Sequence, residues 1–382
     1  MEFNTADAKY MDQALALAKK AWGQTSPNPM VGAVVVKEGE VVGEGFHPAA
    51  GASHAEVLAL NAAGQRAAGA DLYVTLEPCC HRGRTGPCTD VILAAGVKRV
   101  IVATLDPNPL VAGQGVKKLR QAGVTVEVGL KEEEARRLNE AFFTFITKGR
   151  PFVTAKWAMT MDGKIACVGG TGSPISGPVA HRCVHELRHR VDAIMVGVGT
   201  VLADNPLLTA RRFGKPTSKD PIRVILDSNL RTPPTARLLH SGSSAPTWIA
   251  CLESAARGPS PLKELPGVEL LPLPEKAGHL DLQALFQLLG TRQITHVLLE
   301  GGSTVNYAAL QEGVIDKIIC IVAPKLVGGA AAPTPMGGQG QREMSAAWPA
   351  KIHRTYMLGG DVVIEAYLDS KDSKGENPCL PD

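Results

Sequence analysis

Long apolar runs are missing from this chain. Nowhere in its 382 residues do about 18 apolar residues stand uninterrupted, so no membrane-spanning helix is expected. The N-terminus carries acids at Glu2 and Asp7 and no apolar h-region, so a secretory signal is not expected there. Blocks of lysine and arginine are missing too, the net charge is only +3, and no basic–aromatic stripe is present. Electrostatic capture of nucleic acid is therefore not expected. Eight cysteines are too few for a disulfide scaffold over this length, so a reduced, cytoplasmic setting is expected. There is no internal repeat, no G-x-G-x-x-G with a downstream acid and no P-loop lysine, which removes the Rossmann and P-loop readings.

What remains is an ordinary globular composition, 45% hydrophobic and 20% charged, in a chain long enough for two domains. Met11, Ala14, Leu15, Ala18 and Trp22 recur at helical spacing within 8–22. A hairpin follows over 31–36 and 41–45, turning at Glu38-Gly39. The pattern continues with a helix from 54 to 63, a strand at 71–76, a short helix ending near 96, a strand at 98–104, a helix at 112–122 and a strand at 124–128. A single charged helix is expected from 131 to 147. Strands alternating with helices imply a layered α/β domain over 1–149, closed by the turn-forming Gly149-Arg150-Pro151. A second α/β domain spans 150–368. Its strands are expected at 152–158, 193–196, 223–227, 247–251, 268–271, 297–300 and 318–323, with a closing hairpin at 356–358 and 362–367. Its helices fall at 178–189, 280–289 and 303–312, whereas 229–246 and 252–267 read as loops. The polar tail 369–382 reads as disordered.

One stretch concentrates chemistry. LEPCCHRGRTGPC (76–88) puts Cys79, Cys80, His81 and Cys88 in thirteen residues after a strand, and His54-Ala55-Glu56 stands upstream. A hydrolytic zinc site takes three protein ligands and leaves one position for water. His54, Cys79 and Cys88 supply such a set, and Glu56 would carry protons from the water to a departing amine. H-x-E followed by two prolyl-cysteines is the zinc-deaminase signature, here with eight residues between the cysteines instead of two. Other readings stand beside this one. Ser53-x-x-Glu56 is also a capping box, which would occupy Glu56 with backbone N–H groups. Cys79 and Cys88 could be small buried apolar residues. Cys80 and His81 compete as ligands, and a purely structural zinc site could be built from four of these groups.

The second half has two glycine-rich strand-to-helix junctions, at 195–200 and 299–304. Glycine lets backbone N–H groups approach a phosphate, and a helix start carries partial positive charge. As a pair they suggest a phosphorylated ligand without naming it.

With its long cysteine spacing and the motifs SPNPMVG (26–32), GFH (45–47), HAE (54–56) and DPNPLVAGQG (106–115), the first half resembles the bifunctional RibD deaminase–reductase family of riboflavin biosynthesis. KWAMTMDGKIA (156–166), GVGTVLADNPLLTAR (197–211) and LEGGST (299–304) extend the resemblance through the second half. It implies a cytidine-deaminase-like α/β/α domain followed by a dihydrofolate-reductase-like α/β domain. The implied reactions are zinc-dependent deamination of 2,5-diamino-6-(5-phosphoribosylamino)pyrimidin-4-one and NADPH-dependent reduction of its ribosyl group to ribityl. A zinc deaminase of free nucleosides or nucleic acid bases, or a zinc-stapled binding protein, are the competing readings.

The resemblance also implies roles by motif position. His54, Cys79 and Cys88 would bind Zn2+, Glu56 would be catalytic, and Asn28, His47, His81, Arg84, Asp106 and Asn108 would contact the deaminase substrate. In the reductase half, Arg188, Leu208, Arg211 and Glu300 would hold the substrate. The cofactor would be held by Met159, Pro174, Thr200, Asp204, Ser228, Gly302, Ser303, Thr304, Val305, Asn306, Tyr307 and Ala308. The partner is a small phosphorylated pyrimidine, and the resemblance implies a homo-oligomer, dimer or tetramer. One departure stands out: Pro174 falls where many members carry tryptophan, and Gly172 where a serine is common. Proline cannot stack on a nicotinamide as indole can, so an altered cofactor pocket is expected.

Overall fold

A computed structural model describes residues 3–81, 86–109, 111–169, 174–212, 215–216 and 219–368. The chain divides between Arg150 and Pro151 into two compact units.

The first unit runs α1 (Thr5–Lys19), β1 (Gly32–Lys37), β2 (Glu40–Phe46), α2 (Ala55–Ala63), β3 (Asp71–Val74), α3 (Cys88–Ala94), β4 (Arg99–Val102), α4 (Gln114–Gln121), β5 (Thr125–Val128), α5 (Glu132–Leu138) and α6 (Glu140–Lys148). The sheet order is β2-β1-β3-β4-β5; β1 pairs antiparallel with both β2 and β3, and β3, β4 and β5 are parallel. Alternation along the strands feeds two cores. Ala33, Val35, Leu72, Val74, Val100 and Val102 face α2, α3 and α4, while Val34, Tyr73 and Ile101 face α1 and α5. The result is three layers, α/β/α, with helices on both faces of a largely parallel sheet. Strand β2 lets α2 come close because it carries glycine: a Cβ on Gly43 would stand 2.2 Å from the Ala59 carbonyl oxygen, and one on Gly45 2.4 Å from that of Ala55.

The charged helix expected over 131–147 is two helices. Asn139 breaks it at φ −111° and ψ 23°, ending α5 and starting α6. Its side-chain amide is committed elsewhere, accepting from Met30 N at 2.8 Å and donating to Met30 O at 2.9 Å. A residue 2% exposed and paired in that way overrides the continuous helical periodicity around it.

The second unit contains β6 (Phe152–Thr160), α7 (Pro178–Arg190), β7 (Ala193–Gly197), α8 (Val198–Asp204), β8 (Arg211–Arg212), β9 (Lys215–Pro216), β10 (Ile222–Leu226), β11 (Thr247–Leu252), α9 (Glu253–Arg257) and β12 (Val268–Leu273). It continues with β13 (Glu275–Lys276), β14 (His279–Leu280), α10 (Leu282–Thr291), β15 (His296–Leu299), α11 (Ser303–Gln311), β16 (Lys317–Ala323), β17 (Ala350–Leu358) and β18 (Asp361–Leu368). Nine strands form one sheet in the order β12-β11-β10-β7-β15-β6-β16-β18-β17. From β12 to β16 the neighbours are parallel, and β18 and β17 close the sheet antiparallel. The chain leaves β6 for β7 and only later returns to insert β15 between them. Loops diverge at such a switch point and open a crevice at the carboxyl ends of the strands.

Three local expectations are corrected here. The segment 229–246 holds a short 3-10 turn (Arg237–His240), and 252–267 holds α9 and another turn (Pro261–Glu264). Leu238 and Leu262, both fully buried, anchor those turns in the core beneath, which their Pro- and Ser-rich surroundings conceal. The closing hairpin is longer than expected because β17 starts at Ala350; its exposed edge-strand residues carry no alternation to read. The tail 369–382 lies outside the described residues.

Candidate functional site

In the first unit, three side chains far apart in sequence converge. His54 Nδ1 stands 3.1 Å from Cys88 Sγ and 3.6 Å from Cys79 Sγ, and all three ligand atoms lie within 4.8 Å of one another. These separations fit the edges of a tetrahedron with metal–nitrogen bonds of about 2.0 Å and metal–sulfur bonds of about 2.3 Å. The donor set is that of zinc: one imidazole and two sulfurs. Each residue is placed by an element end. Cys79 follows β3, Cys88 opens α3 behind Pro87, and the Cys88 N–H donates to Cys79 Sγ at 3.3 Å. Hydrogen bonding from Cys88 pulls the Cys79 thiol down to about 4, while the same contact and burial push Cys88 up. Cys80 and His81, competing ligands in the sequence, stand outside this trio among the described residues.

Glu56 lies in the first turn of α2, 3% exposed, and burial raises its carboxyl. The capping box of Ser53 and Glu56 does not form. His54, not Ser53, is the N-cap, with extended angles (φ −72°, ψ 159°) and no side-chain cap bond. That geometry explains how residues i and i+2 serve one site: on an ideal helix they would diverge, but His54 has not yet entered it. The carboxyl of Glu56 instead meets its own backbone N–H and the Cys88 thiol, beside the trio.

Around the trio stand the expected substrate residues. His47 is 3% exposed; its Nδ1 donates to Ser53 O at 3.1 Å, so Nε2 accepts from Asn28 Nδ2 at 3.1 Å. Burial lowers its pKa, keeping the ring neutral, and it packs edge-on against His54 at 5.4 Å between centroids. Asp106 accepts from Asn108 N at 2.8 Å, and burial pushes its carboxyl up to about 6. His81 is exposed and near enough to Asp106 to pull that carboxyl partly back. Arg84 lies outside the described residues.

The second unit has a cavity of 1560 Å³ at the carboxyl ends of β10, β7, β15 and β6. Pro174, Thr200, Asp204, Ser228, Gly302, Ser303, Thr304, Val305, Tyr307 and Ala308 line it, as do Arg188 and Glu300. Met159, Asn306, Leu208 and Arg211 are not among the lining residues. Asn306 is fully buried and donates to Pro335 O at 3.0 Å, tying down the chain over α11. Leu208 is buried in the left-handed region at φ +54°, and the carbonyl of the next residue, Thr209, accepts from His185 Nδ1 and Arg188 Nη1, each at 3.2 Å. Gly172 lies outside the described residues. Two glycine-rich starts, at α8 and α11, flank the cavity side by side because β7 and β15 are neighbours.

Sequence reasoning passed over Lys156, His181 and His185, which also line this cavity. Lys156 Nζ lies 3.7 Å from Glu300 Oε2, and burial pushes its ammonium below the ordinary range. Burial and then Arg188 lower both histidines, His185 to about 4. A lone lysine inside the strand FVTAKWAMT was the available signal.

No helix among the described residues is long and apolar enough to cross a membrane. The family described as RibD C-terminal domain matches residues 151–364, and that described as the cytidine and deoxycytidylate deaminase zinc-binding region matches 4–104. The riboflavin biosynthesis protein RibD of Actinobacillus pleuropneumoniae is 46% identical, with 94% of each chain covered. That of Aquifex aeolicus is 47% identical over 94% of this chain and 97% of its own. The crystal structure of a diaminohydroxyphosphoribosylaminopyrimidine deaminase/5-amino-6-(5-phosphoribosylamino)uracil reductase from Thermotoga maritima superimposes with a TM-score of 0.84 at 36% identity, covering 95% of this chain and 99% of that one. With a zinc-type trio beside a buried carboxyl in one unit, a large switch-point cavity in the other, and both family profiles in that order, this chain belongs to the RibD family of bifunctional deaminase–reductases of riboflavin biosynthesis.

Proposed function

We propose that the chain performs two consecutive reactions on one phosphorylated pyrimidine: hydrolytic loss of the 2-amino group of 2,5-diamino-6-(5-phosphoribosylamino)pyrimidin-4-one, then reduction of the ribosyl group to ribityl. The observation that carries the first step is the convergence of His54, Cys79 and Cys88 beside a buried Glu56, whose carboxyl burial raises. That trio would hold zinc, which when bound would supply a water with its pKa brought toward neutrality. Glu56, in its ionised form, would accept a proton from the attacking water and pass it to the departing amine, so that water enters and ammonia leaves. Asn28, oriented by His47, and the turn of Asp106 and Asn108 would hold the ring and its ribose phosphate, with the exposed His81 beside them and Arg84 retained as a substrate contact on the family resemblance.

The second step rests on the size and lining of the cavity. Sites for a single small ligand run to roughly 300–1,000 Å³, and this one exceeds that, matching a dinucleotide and a nucleotide together. Thr200, Asp204, Ser228, Pro174 and the 302–308 helix start would hold NADPH, which when bound would supply a hydride to the sugar C1′, and Met159, outside the lining, is retained as a cofactor contact on the family resemblance alone. Opening the sugar ring leaves its oxygen as a hydroxyl, which needs a proton. Lys156, buried against Glu300, is the titratable donor, while Arg188 and Arg211 suit the phosphate and Leu208 shapes the loop between them. We place the enzyme in the cytoplasm as a dimer or tetramer, on the family resemblance; light scattering tests the assembly.

The deciding experiment offers the diaminopyrimidine nucleotide and NADPH to zinc-loaded protein and follows ammonia and NADPH oxidation separately. Both are expected. Neither would sink the proposal, and ammonia alone would sink its second half.

A further inference from the structure

Glu77, between Leu76 and Pro78, has no part in the chemistry above, yet it is a charged residue only 4% exposed and two positions from Cys79. Main-chain N–H groups from a distant segment meet its carboxylate. Oε2 accepts from Gly113 N at 2.8 Å and from Asp106 N at 3.3 Å, and Oε1 accepts from Val116 N at 3.1 Å. Its own N–H donates to Thr104 O at 3.0 Å. Helix α4 needs this partner: its N-cap is Gly113, without a side-chain cap, and its first turn holds no acid. The exposed N–H groups of that turn and their partial positive charge are answered across the fold, from the metal loop. The contact is close on both sides, since a Cβ on Gly115 would stand 2.1 Å from Pro78 O. The oxygen that caps α4 also holds the N–H of Asp106, whose carboxylate in turn accepts from Asn108 N at 2.8 Å.

We propose that Glu77 is a positioning residue of the deaminase: its carboxylate holds the turn of Asp106 and Asn108 in register with the Cys79 end of the metal site. Substrate recognition then depends on Glu77, whereas metal capture does not. The inference rests on reading Asp106 and Asn108 as substrate contacts. Glutamine at 77 has the right volume but only one acceptor oxygen, and its NH2 group must face either the Val116 N–H or the shared Gly113 and Asp106 N–H groups. One side of the clamp is lost whichever way the amide turns.

The test uses full-length, zinc-loaded Glu77→Gln. Zinc content, KM and kcat for ammonia release are measured, together with NADPH oxidation on the already deaminated substrate, which the second unit catalyses. The expected result is unchanged zinc content, unchanged NADPH oxidation, a kcat close to the parent's, and a KM raised roughly tenfold or more, the scale of one lost hydrogen bond to a charged group. An unchanged KM, or zinc loss with kcat and KM falling off together, overturns the inference. If Glu77→Gln is not recovered soluble, Glu77→Asp, which keeps the charge but withdraws it by one methylene, is read the same way. Asp106→Ala separates the two levels. If it raises KM and Glu77→Gln does not, the positioning role alone fails; if it leaves KM unchanged, the substrate reading of the turn fails and the inference with it.

Discussion

Arg188 and Glu300 face each other as a two-pronged pair, Nε to Oε1 at 2.8 Å and Nη2 to Oε2 at 2.9 Å, although 112 residues separate them. Lys156 approaches the same carboxylate, so two cations share one anion in a largely buried site. Burial alone would raise the Glu300 carboxyl, but Arg188 and then Lys156 outweigh it and hold the group down at about 2.

Glu300→Ala leaves two buried cations unpaired and is expected to cost about 3–5 kcal/mol in the second unit's unfolding free energy. The folded state lowers this pKa, so the carboxylate's stabilisation is full above its ordinary value of 4.5 and is lost as pH falls toward about 2. Urea unfolding across that window should show a slope in the parent protein that the variant lacks.

Glu56→Gln removes the proton carrier while keeping its shape. Ammonia release is expected to fall by roughly 10²–10⁴-fold, with zinc content and NADPH oxidation on deaminated substrate unchanged. Zinc loss would instead assign Glu56 to holding the metal loop.

Gly45→Ala tests how α2 is aimed. The added Cβ would meet the Ala55 carbonyl oxygen, one residue from both His54 and Glu56. Overpacking there is expected to cost about 1–3 kcal/mol, and ammonia release should fall further than that loss of stability accounts for. Equal ammonia release at the parent's rate would show that α2 tolerates the shift.

Pro174→Trp introduces, at a position lining the cavity, the indole that the family resemblance leads one to expect there. Tighter NADPH binding is expected, read as a lower Kd in a fluorescence titration without substrate. Unchanged affinity would mean that Pro174 does not set the nicotinamide pocket.

Asp7 and Arg99 make a fifth mutational case, in the first unit. Asp7 completes a capping box with Asn4, accepts from Tyr73 Oη at 2.6 Å and pairs with Arg99 at 2.9 Å, 3% exposed at its side chain. Asp7→Ala removes the cap and one of the carboxylates around Arg99, which keeps Glu127 and Asp71, for an expected loss of about 1–2 kcal/mol in urea unfolding.

The metal trio was legible in the sequence because the chemistry demands particular residue types at short spacing, and the second cysteine's prolyl neighbour marks a helix start. The fate of Glu56 was not. S-x-x-E reads equally as a cap or as a catalytic acid, and only the extended backbone of His54 decides between them. Apolar alternation located the strands of both sheets, whereas the division of the last helices of the first unit depends on a side chain, Asn139, bound to Met30. Lys156 escaped because strand periodicity says which face a residue takes and nothing about a carboxylate arriving from β15, 144 positions on.

That Asn139 contact also bears on where the chain could be cut. The last strand of the first sheet ends at Val128 and the last expected deaminase contact is Asn108, so a fragment stopped just after β5 would hold every strand of that sheet and every proposed deaminase residue. It would lack the amide that brackets Met30, two residues from Asn28. The smallest competent deaminase fragment is therefore set by a loop anchor and must extend past Asn139, into α6.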